Sequence, residues 1–384
     1  MLKYFLFILL IVFNSLSAMD KKPYHHLPDG TFRNPEGSPQ RDSNFKWSFK
    51  VFNAEKKKIN TDVPPDHIIN KKEVLKNLKK YIIKVINTGQ HYDNIMMNIF
   101  IKELNFKLPD YNLKVGSGTH GLQTAKIIEK YEKILLKSKP DCVIVFGDVN
   151  STLGCTIAAK KLMIKVVHIE SGLRSFDQDM PEEINRIMVD SVADYCFTTC
   201  QDGSDNLINE GKPKKSIFMK GNTMIDSLIK FEKQFDNSSI VKDFQLHEKE
   251  YILFTLHRPS NVDNQRKLKL LTKEIEKIAK KYKCIFPVHP RTLKKIKEIK
   301  LDKNLKSNSN IMITDPLGYF DFMCLQKNAK VIVTDSGGVQ EESTYFGVQC
   351  LTVRENTERP ITITQGTNTL IGAMLVRISE TDRR

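Results

Sequence analysis

Cys142-Val-Ile-Val-Phe146, followed at once by Gly147-Asp148-Val-Asn-Ser-Thr152, decides the fold of this chain. Five apolar residues without a polar break suit a strand buried on both faces, as in a parallel sheet covered by helices. The polar residues beyond it end the strand and open a helix over 151–162. The same alternation spreads outward. Upstream lie a strand over 82–87 and a helix over 119–137. Downstream, strands over 165–169 and 195–199 flank a helix over 182–192. A second series follows after a polar stretch over 231–248. It has strands over 251–256, 284–288, Ile311–Thr314 and Val331–Thr334, with helices over 266–282, 319–326 and 339–346. Strand and helix alternating twice over predict an α/β protein with two doubly wound domains and a cleft between them. The domains are expected at 71–235 and 236–372.

Composition supports a globular enzyme-sized chain. Of 384 residues, 40% are apolar and 27% charged, enough for two cores. The net charge of +15 comes from scattered lysines, with no stripe interleaved with aromatics, so nucleic acid is not an expected partner. The seven cysteines form no Cys-x-x-Cys pair, which argues against a zinc site and a disulfide framework. Several sit in apolar strands, where a reduced cysteine serves as a small core residue, and this points to the cytoplasm.

The first 70 residues have another texture. Residues 1–18 join a short basic start to an apolar run over 4–13 and small residues over 15–18, a signal-like pattern that conflicts with a cytoplasmic location. Any membrane contact is expected only through this segment, if it stays uncleaved. Residues 19–70 are polar, proline-rich and aperiodic, an irregular arm or linker. Within them His25-His26-Leu-Pro-Asp-Gly30-Thr-Phe-Arg-Asn-Pro35 resembles the leader of phospholipase D-type proteins with a metallo-β-lactamase fold. That family's chemistry needs a His-x-His-x-Asp-His ligand cluster. The sequence holds none, so no metal site carries over.

Doubly wound folds bind ligands beyond the carboxyl ends of their strands. Here those ends read Gly147-Asp148, His168-Ile-Glu170-Ser-Gly-Leu-Arg174, Thr255-Leu-His257-Arg258, His289-Pro-Arg291, Asp315-Pro316 and Asp335-Ser336-Gly-Gly338. Any one such polar residue is equally well read as a helix cap. Ser336-Gly337-Gly338 before a helix offers backbone N–H groups and a positive dipole end to an anion such as a diphosphate. Neither a Gly-x-x-x-x-Gly-Lys-Ser/Thr loop nor a strand-borne Gly-x-Gly-x-x-Gly is present, so ATP hydrolysis and NAD chemistry lack support. Three carboxylates gather in the first domain: Asp148, Glu170 and Glu182. Carboxylates sharing a cleft repel one another, which separates acid from base roles. Asn185 and Arg186, one helical turn beyond Met180-Pro-Glu-Glu183, stand where they can pair with these acids.

Gly89-Gln-His-Tyr-Asp93, Gly118-Thr-His120, Gly147-Asp148, His168-Ile-Glu-Ser-Gly-Leu-Arg-Ser175, Met180-Pro-Glu-Glu-Ile-Asn-Arg186, Gly221-Asn222, Leu256-His-Arg258, Thr334-Asp-Ser-Gly-Gly-Val-Gln-Glu-Glu342, Arg354 and Thr357-Glu-Arg-Pro360 occur in the order seen in non-hydrolysing UDP-N-acetylglucosamine 2-epimerases. Residues 74–372 resemble that family. The resemblance implies two Rossmann-like domains of the glycosyltransferase-B type. It also implies interconversion of UDP-GlcNAc and UDP-ManNAc by UDP elimination and re-addition across C1–C2, for surface polysaccharide, with no metal or redox cofactor and in a homodimer. Residue by residue, it implies acid/base roles for Asp148, Glu170 and Glu182 and an essential histidine near the departing diphosphate in His257. It implies a charge-balancing arginine in Arg186 and a substrate arginine in Arg359. Nucleotide contacts fall to Ser336, Gly337, Gly338 and Glu342, a uracil-side contact to Phe322, and a regulatory UDP-GlcNAc segment to Gln90 and His91.

The chain departs from that family at both ends. The family's first strand and its Gly-Thr-Arg-Pro-Glu-like loop are missing, and residues 373–384 diverge. A missing strand removes core area and exposes hydrogen-bonding groups. A non-catalytic UDP-sugar binder and a glycosyltransferase of the same architecture therefore stand as alternatives.

Overall fold

The computed structural model describes residues 82–90, 103–104 and 108–372, together with the two-residue strand β1 (Val12–Phe13). The rest of the 1–70 leader, His91 and the tail over 373–384 lie outside the described residues.

The first half begins with β2 (Ile86–Asn87) and β3 (Tyr111–Asn112), a parallel pair in a sheet of their own. There follow α1 (His120–Ser138), β4 (Cys142–Phe146), α2 (Asn150–Lys161), β5 (Lys165–Ser171), α3 (Pro181–Val192), β6 (Tyr195–Thr198), α4 (Gln201–Asn209), β7 (Ile217–Met219) and α5 (Thr223–Lys230). Strands β4 to β7 run parallel in sequence order, and β1 lies antiparallel on the outer side of β4. Among the described residues, β2 and β3 form one sheet and β1 with β4 to β7 another.

The second half carries α6 (Glu232–Asp236), α7 (Ile240–Asp243), β8 (Tyr251–Thr255), α8 (Pro259–Val262), α9 (Gln265–Ile278), β9 (Lys283–Pro287), α10 (Pro290–Glu298), α11 (Asp302–Ser307), β10 (Ile311–Thr314), α12 (Tyr319–Asn328), β11 (Val331–Thr334), α13 (Gly337–Phe346), β12 (Gln349–Thr352), α14 (Ile361–Thr364) and β13 (Asn368–Leu370). Its sheet is continuous and wholly parallel, in the order β10-β9-β8-β11-β12-β13. This is the doubly wound order, and its topological switch falls between β8 and β11. The α/β reading with parallel sheets holds.

Cores lie on both faces of the second sheet. Ile252, Phe254, Phe286 and Leu351 pack with α9 on one face; Leu253, Ile285 and Ile332 pack with α12 on the other. The 231–248 stretch, read as a polar connector, carries α6 and α7, and its Phe231, Phe235, Ile240 and Leu246 are buried against α12. Met224 and Leu228 of α5 join that same core. All seven cysteines are buried and free, as expected for the several that lie in apolar strands. Helix α9 stops at Ile278, short of the expected 282, and the next residues turn. No helix among the described residues is long and apolar enough to cross a membrane.

Candidate active site

Gly147 leaves β4 with φ at 62°, a left-handed turn that glycine adopts without strain and that delivers Asp148 to the strand end. The Asp148 carboxylate accepts from Arg186 Nη1 at 2.5 Å, and its carbonyl accepts from Asn185 Nδ2 at 2.8 Å. Both partners come from the buried face of α3. Arg186 is also held by Glu183 one turn earlier. Burial works against the Arg186 charge, but Asp148, Glu358 and Glu183 outweigh it and keep the guanidinium protonated. Glu183 is itself fixed by the Ser175 and Phe176 backbone N–H groups at 3.0 Å. Glu182, its neighbour, is half-buried in the first turn of α3.

Glu170 sits at a register break in β5, with φ at 69°. A non-glycine residue in that region is unusual, and a bulge re-aims its side chain. Here the side chain reaches the second half of the molecule, where Glu170 Oε1 lies 2.5 Å from Arg359 Nη2. Arg359 is fully buried and also meets Glu341 at 2.6 Å and Glu358 at 2.5 Å. Arg354 approaches Glu358 at 2.8 Å, and Arg258 approaches it at 3.9 Å. Three guanidinium groups thus face three carboxylates, so this buried cluster balances its charge. Asn356 Nδ2 donates to Asp177 Oδ2 at 3.1 Å, a second bond between the halves.

Opposite lies the switch point of the second sheet. Asp335, just beyond β11, is completely buried. It accepts the backbone N–H groups of His257 (3.1 Å) and Arg258 (2.9 Å) and the side-chain amide of Asn261 (3.1 Å). Its Oδ1 lies 2.9 Å from His257 Nδ1. Burial alone would raise the Asp335 carboxyl, but His257 and these donors hold it at about 2. Asp335 therefore fixes the ring of His257 with Nε2 on its other edge. Next to it, α13 begins at Gly337, two residues before its expected start. A Cβ at Gly337 would collide with Glu358 and Arg359, and one at Gly338 would meet Met224 Cε at 2.6 Å. The tightest approach is at Gly337, where two buried charged side chains close in; at Gly338 the neighbour is the flexible tip of Met224.

Asp148, Glu170, His257, Ser336, Gly337 and Gly338 stand at strand ends, Arg186 lies on α3, and Arg359 lies in the loop between β12 and α14. Phe322, on α12, is buried in the core. Glu342 is buried; burial raises its carboxyl, opposed by a 2.8 Å bond from Gln326 Nε2. Gln90 accepts from Ser151 N (2.9 Å) at the start of α2. The sequence reading did not single out Glu183, Asp335, Glu341, Arg354 or Glu358 as site residues. Asp335 did carry a signal, because it stands first after an apolar strand.

The family profile described as UDP-N-acetylglucosamine 2-epimerase matches residues 73–382. The chain belongs to the UDP-N-acetylglucosamine 2-epimerase family. This family member is 46% identical over 312 residues to the UDP-N-acetylglucosamine 2-epimerase of Methanocaldococcus jannaschii, covering 79% of this chain and 85% of that relative. It is 38% identical over 302 residues to the UDP-2,3-diacetamido-2,3-dideoxy-D-glucuronate 2-epimerase of Pseudomonas aeruginosa, covering 78% of this chain and 82% of that relative. Among solved structures, the M. jannaschii UDP-GlcNAc 2-epimerase in complex with UDP-GlcNAc and UDP superposes with a TM-score of 0.75 at 44% identity, over 80% of this chain and 87% of that one. The Rickettsia bellii enzyme gives 0.70 at 31% identity, over 80% and 82%.

Proposed function

We propose that this chain interconverts UDP-N-acetylglucosamine and UDP-N-acetylmannosamine. The carrying observation is the pair of strand-end carboxylates Asp148 and Glu170. Each is held by a buried arginine, and Glu170 reaches across to the domain that bears His257 and the start of α13.

The reaction follows from those groups. A carboxylate of the Asp148, Glu170 and Glu182 set takes the C2 proton. The C2–H electron pair forms the C1–C2 double bond as the C1–O bond breaks and UDP leaves with its electrons. Charge growing on the departing diphosphate is met by His257, by Arg359 and by the N–H groups of Ser336, Gly337 and Gly338 at a helix dipole. A second carboxylate then delivers a proton to the opposite face of C2, and UDP re-adds at C1. Arg186 keeps Asp148 ionised and oriented for proton transfer. The proposal divides the labour between domain 71–235, which moves protons, and domain 236–372, which holds UDP through Ser336, Glu342 and the Phe322 helix. A cytoplasmic homodimer, with Gln90 near a second UDP-sugar site, belongs to the same reading.

Incubation with UDP-GlcNAc in deuterated water tests it. Deuterium at C2 together with new UDP-ManNAc is the expected result. UDP binding without exchange would reduce the chain to a non-catalytic binder, and release of UDP only with an added acceptor would make it a transferase. The P. aeruginosa relative is named for a diacetamido glucuronate substrate. Exchange confined to that nucleotide-sugar would move the assignment to it.

A further inference from the structure

We propose that His168 and Asp190, which touch no candidate substrate group, form a positioning pair that sets both Asp148 and Glu170. The inference rests on the epimerase reading, because it concerns the carboxylates that reading uses.

His168 lies in β5 and is fully buried. Its Nδ1 is 2.6 Å from Asp190 Oδ1, and its Nε2 is 2.8 Å from the carbonyl oxygen of Gly147. A carboxylate and a carbonyl both accept, so this pair of contacts calls for a donor at each ring nitrogen. The Gly147 carbonyl shares a rigid peptide plane with the Asp148 nitrogen. Holding that oxygen therefore holds the entry of the chain into Asp148, at a glycine that would otherwise turn freely.

Asp190 carries the constraint to the second loop. Its Oδ2 accepts from Gly172 N at 3.0 Å and from Arg174 Nη1 at 2.7 Å. Gly172, two residues past Glu170, has φ at 77°, and a Cβ there would collide with the backbone of Gly203. One carboxylate thus ties down the residues that flank both Asp148 and Glu170. Arg174 in turn grips Glu210 through two bonds of 2.7 and 2.6 Å. The contacts run from buried His168 through Asp190 and Arg174 to half-exposed Glu210, so each buried polar group of the chain has a partner. The remaining ionisable neighbours do not upset these contacts. Lys212 donates to the Asp190 backbone carbonyl at 2.6 Å, and burial pushes the Cys196 thiol up to about 12, so it stays neutral. Burial raises the Asp190 carboxyl as well, yet His168 and then Arg174 outweigh burial and keep it ionised. The Asp148 and Glu170 carboxylates are held by guanidinium groups of their own, so the positioning pair acts on their backbones and not on their charges.

The test uses the full chain with UDP-GlcNAc. His168→Phe fills the space but cannot donate to Gly147; His168→Gln restores a donor near the Nε2 position. His168→Phe is expected to lower kcat by about 10- to 100-fold, the size of an orientation effect, with KM and UDP affinity within about twofold of the native values. His168→Gln should recover at least about fivefold of that loss, since it returns one positioned donor. Asp190→Asn should lower kcat with the same unchanged UDP affinity. Where a core variant shows no cooperative melt, Glu210→Gln at the half-exposed end replaces it, with an expected kcat loss of about twofold for one weakened link. An unchanged kcat in His168→Phe or in Glu210→Gln, no recovery in His168→Gln, or kcat and UDP affinity falling together would each overturn the proposal. In 15N-histidine-labelled protein, both His168 ring nitrogens should carry protons in the native chain, and one alone in Asp190→Asn. A native chain with no C2 exchange would sink the epimerase reading. The ring spectrum would then still decide the pair, and a singly protonated native ring would overturn it.

Discussion

The two halves of the molecule solve the same topological problem to different degrees. The second sheet is continuous, with six parallel strands and a core on each face. Among the described residues the first is divided, with β2 and β3 set apart from β4 to β7. Yet the divided half carries the candidate proton-moving carboxylates, and the continuous half carries the anion-facing helix start and His257. The strand-end carboxylates of the first half are held by side-chain contacts more than by the sheet itself. The polar tethers are Arg186 and Asn185 on Asp148, and His168 and Asp190 on the two loops. The second half adds to its apolar packing two polar hubs, Asp335 and the Arg359 cluster with Glu341 and Glu358.

That contrast breaks most sharply at Arg359, where the halves meet. Arg359→Leu should destabilise the protein by about 3–5 kcal/mol, because it strands Glu170, Glu341 and Glu358 without their shared cation. Chemical denaturation of the variant against the native chain measures this. Next in size, Asp148→Asn should cut C2 exchange by about 10²- to 10⁴-fold, the range for losing a positioned acid or base, with UDP affinity in calorimetry unchanged. Equal losses of exchange and affinity would erase the proposed division of labour. His257→Ala should cost about 10²- to 10³-fold in kcat through lost stabilisation of the leaving diphosphate, and retained turnover would remove it from that role.

The smallest expected effect concerns acid. Asp335 has a folded value of about 2 against an ordinary 3.8, so its contribution is present above pH 4 and is lost as pH falls toward 2. The shift corresponds to about 2 kcal/mol. Melting curves between pH 5 and 2, compared with those of His257→Asn, should show the variant losing less stability across that window.

Much of the fold was legible because apolar runs translate directly into buried strands. Cys142–Phe146, Ile311–Thr314 and Val331–Thr334 begin and end where their composition predicts. Helix ends were less legible: α13 takes in Gly337 and Gly338, which have poor helix propensity, because the Arg359 side chain and Met224 need the space. The site was legible in Asp148, Arg186 and His257, which stand in short motifs, but not in Glu183, although it pairs with Arg186 three residues on. It was illegible in its long-range pairings: Glu170 and Arg359 are 189 positions apart. Helix α3 shows the limit of amphipathic reading. It buries Glu183, Arg186 and Asp190 and exposes Ile184, Ile187, Met188 and Val192, so an apolar-face rule would turn it around. Charged residues recurring at 183, 186 and 190 were the available sign that this helix serves a polar cluster.

The buried thiols give each half of the molecule its own clock. Cys142, Cys155, Cys196 and Cys200 lie in the first half, and Cys284, Cys324 and Cys350 in the second. Burial lifts Cys142 and Cys350 to about 11 and Cys196 and Cys284 to about 12, so in the native state they are neither ionised nor reachable. An alkylating reagent can mark them only when the chain around them opens. Mass-resolved alkylation over time would therefore record how often the divided half comes apart, separately from the continuous one, with no engineered probe.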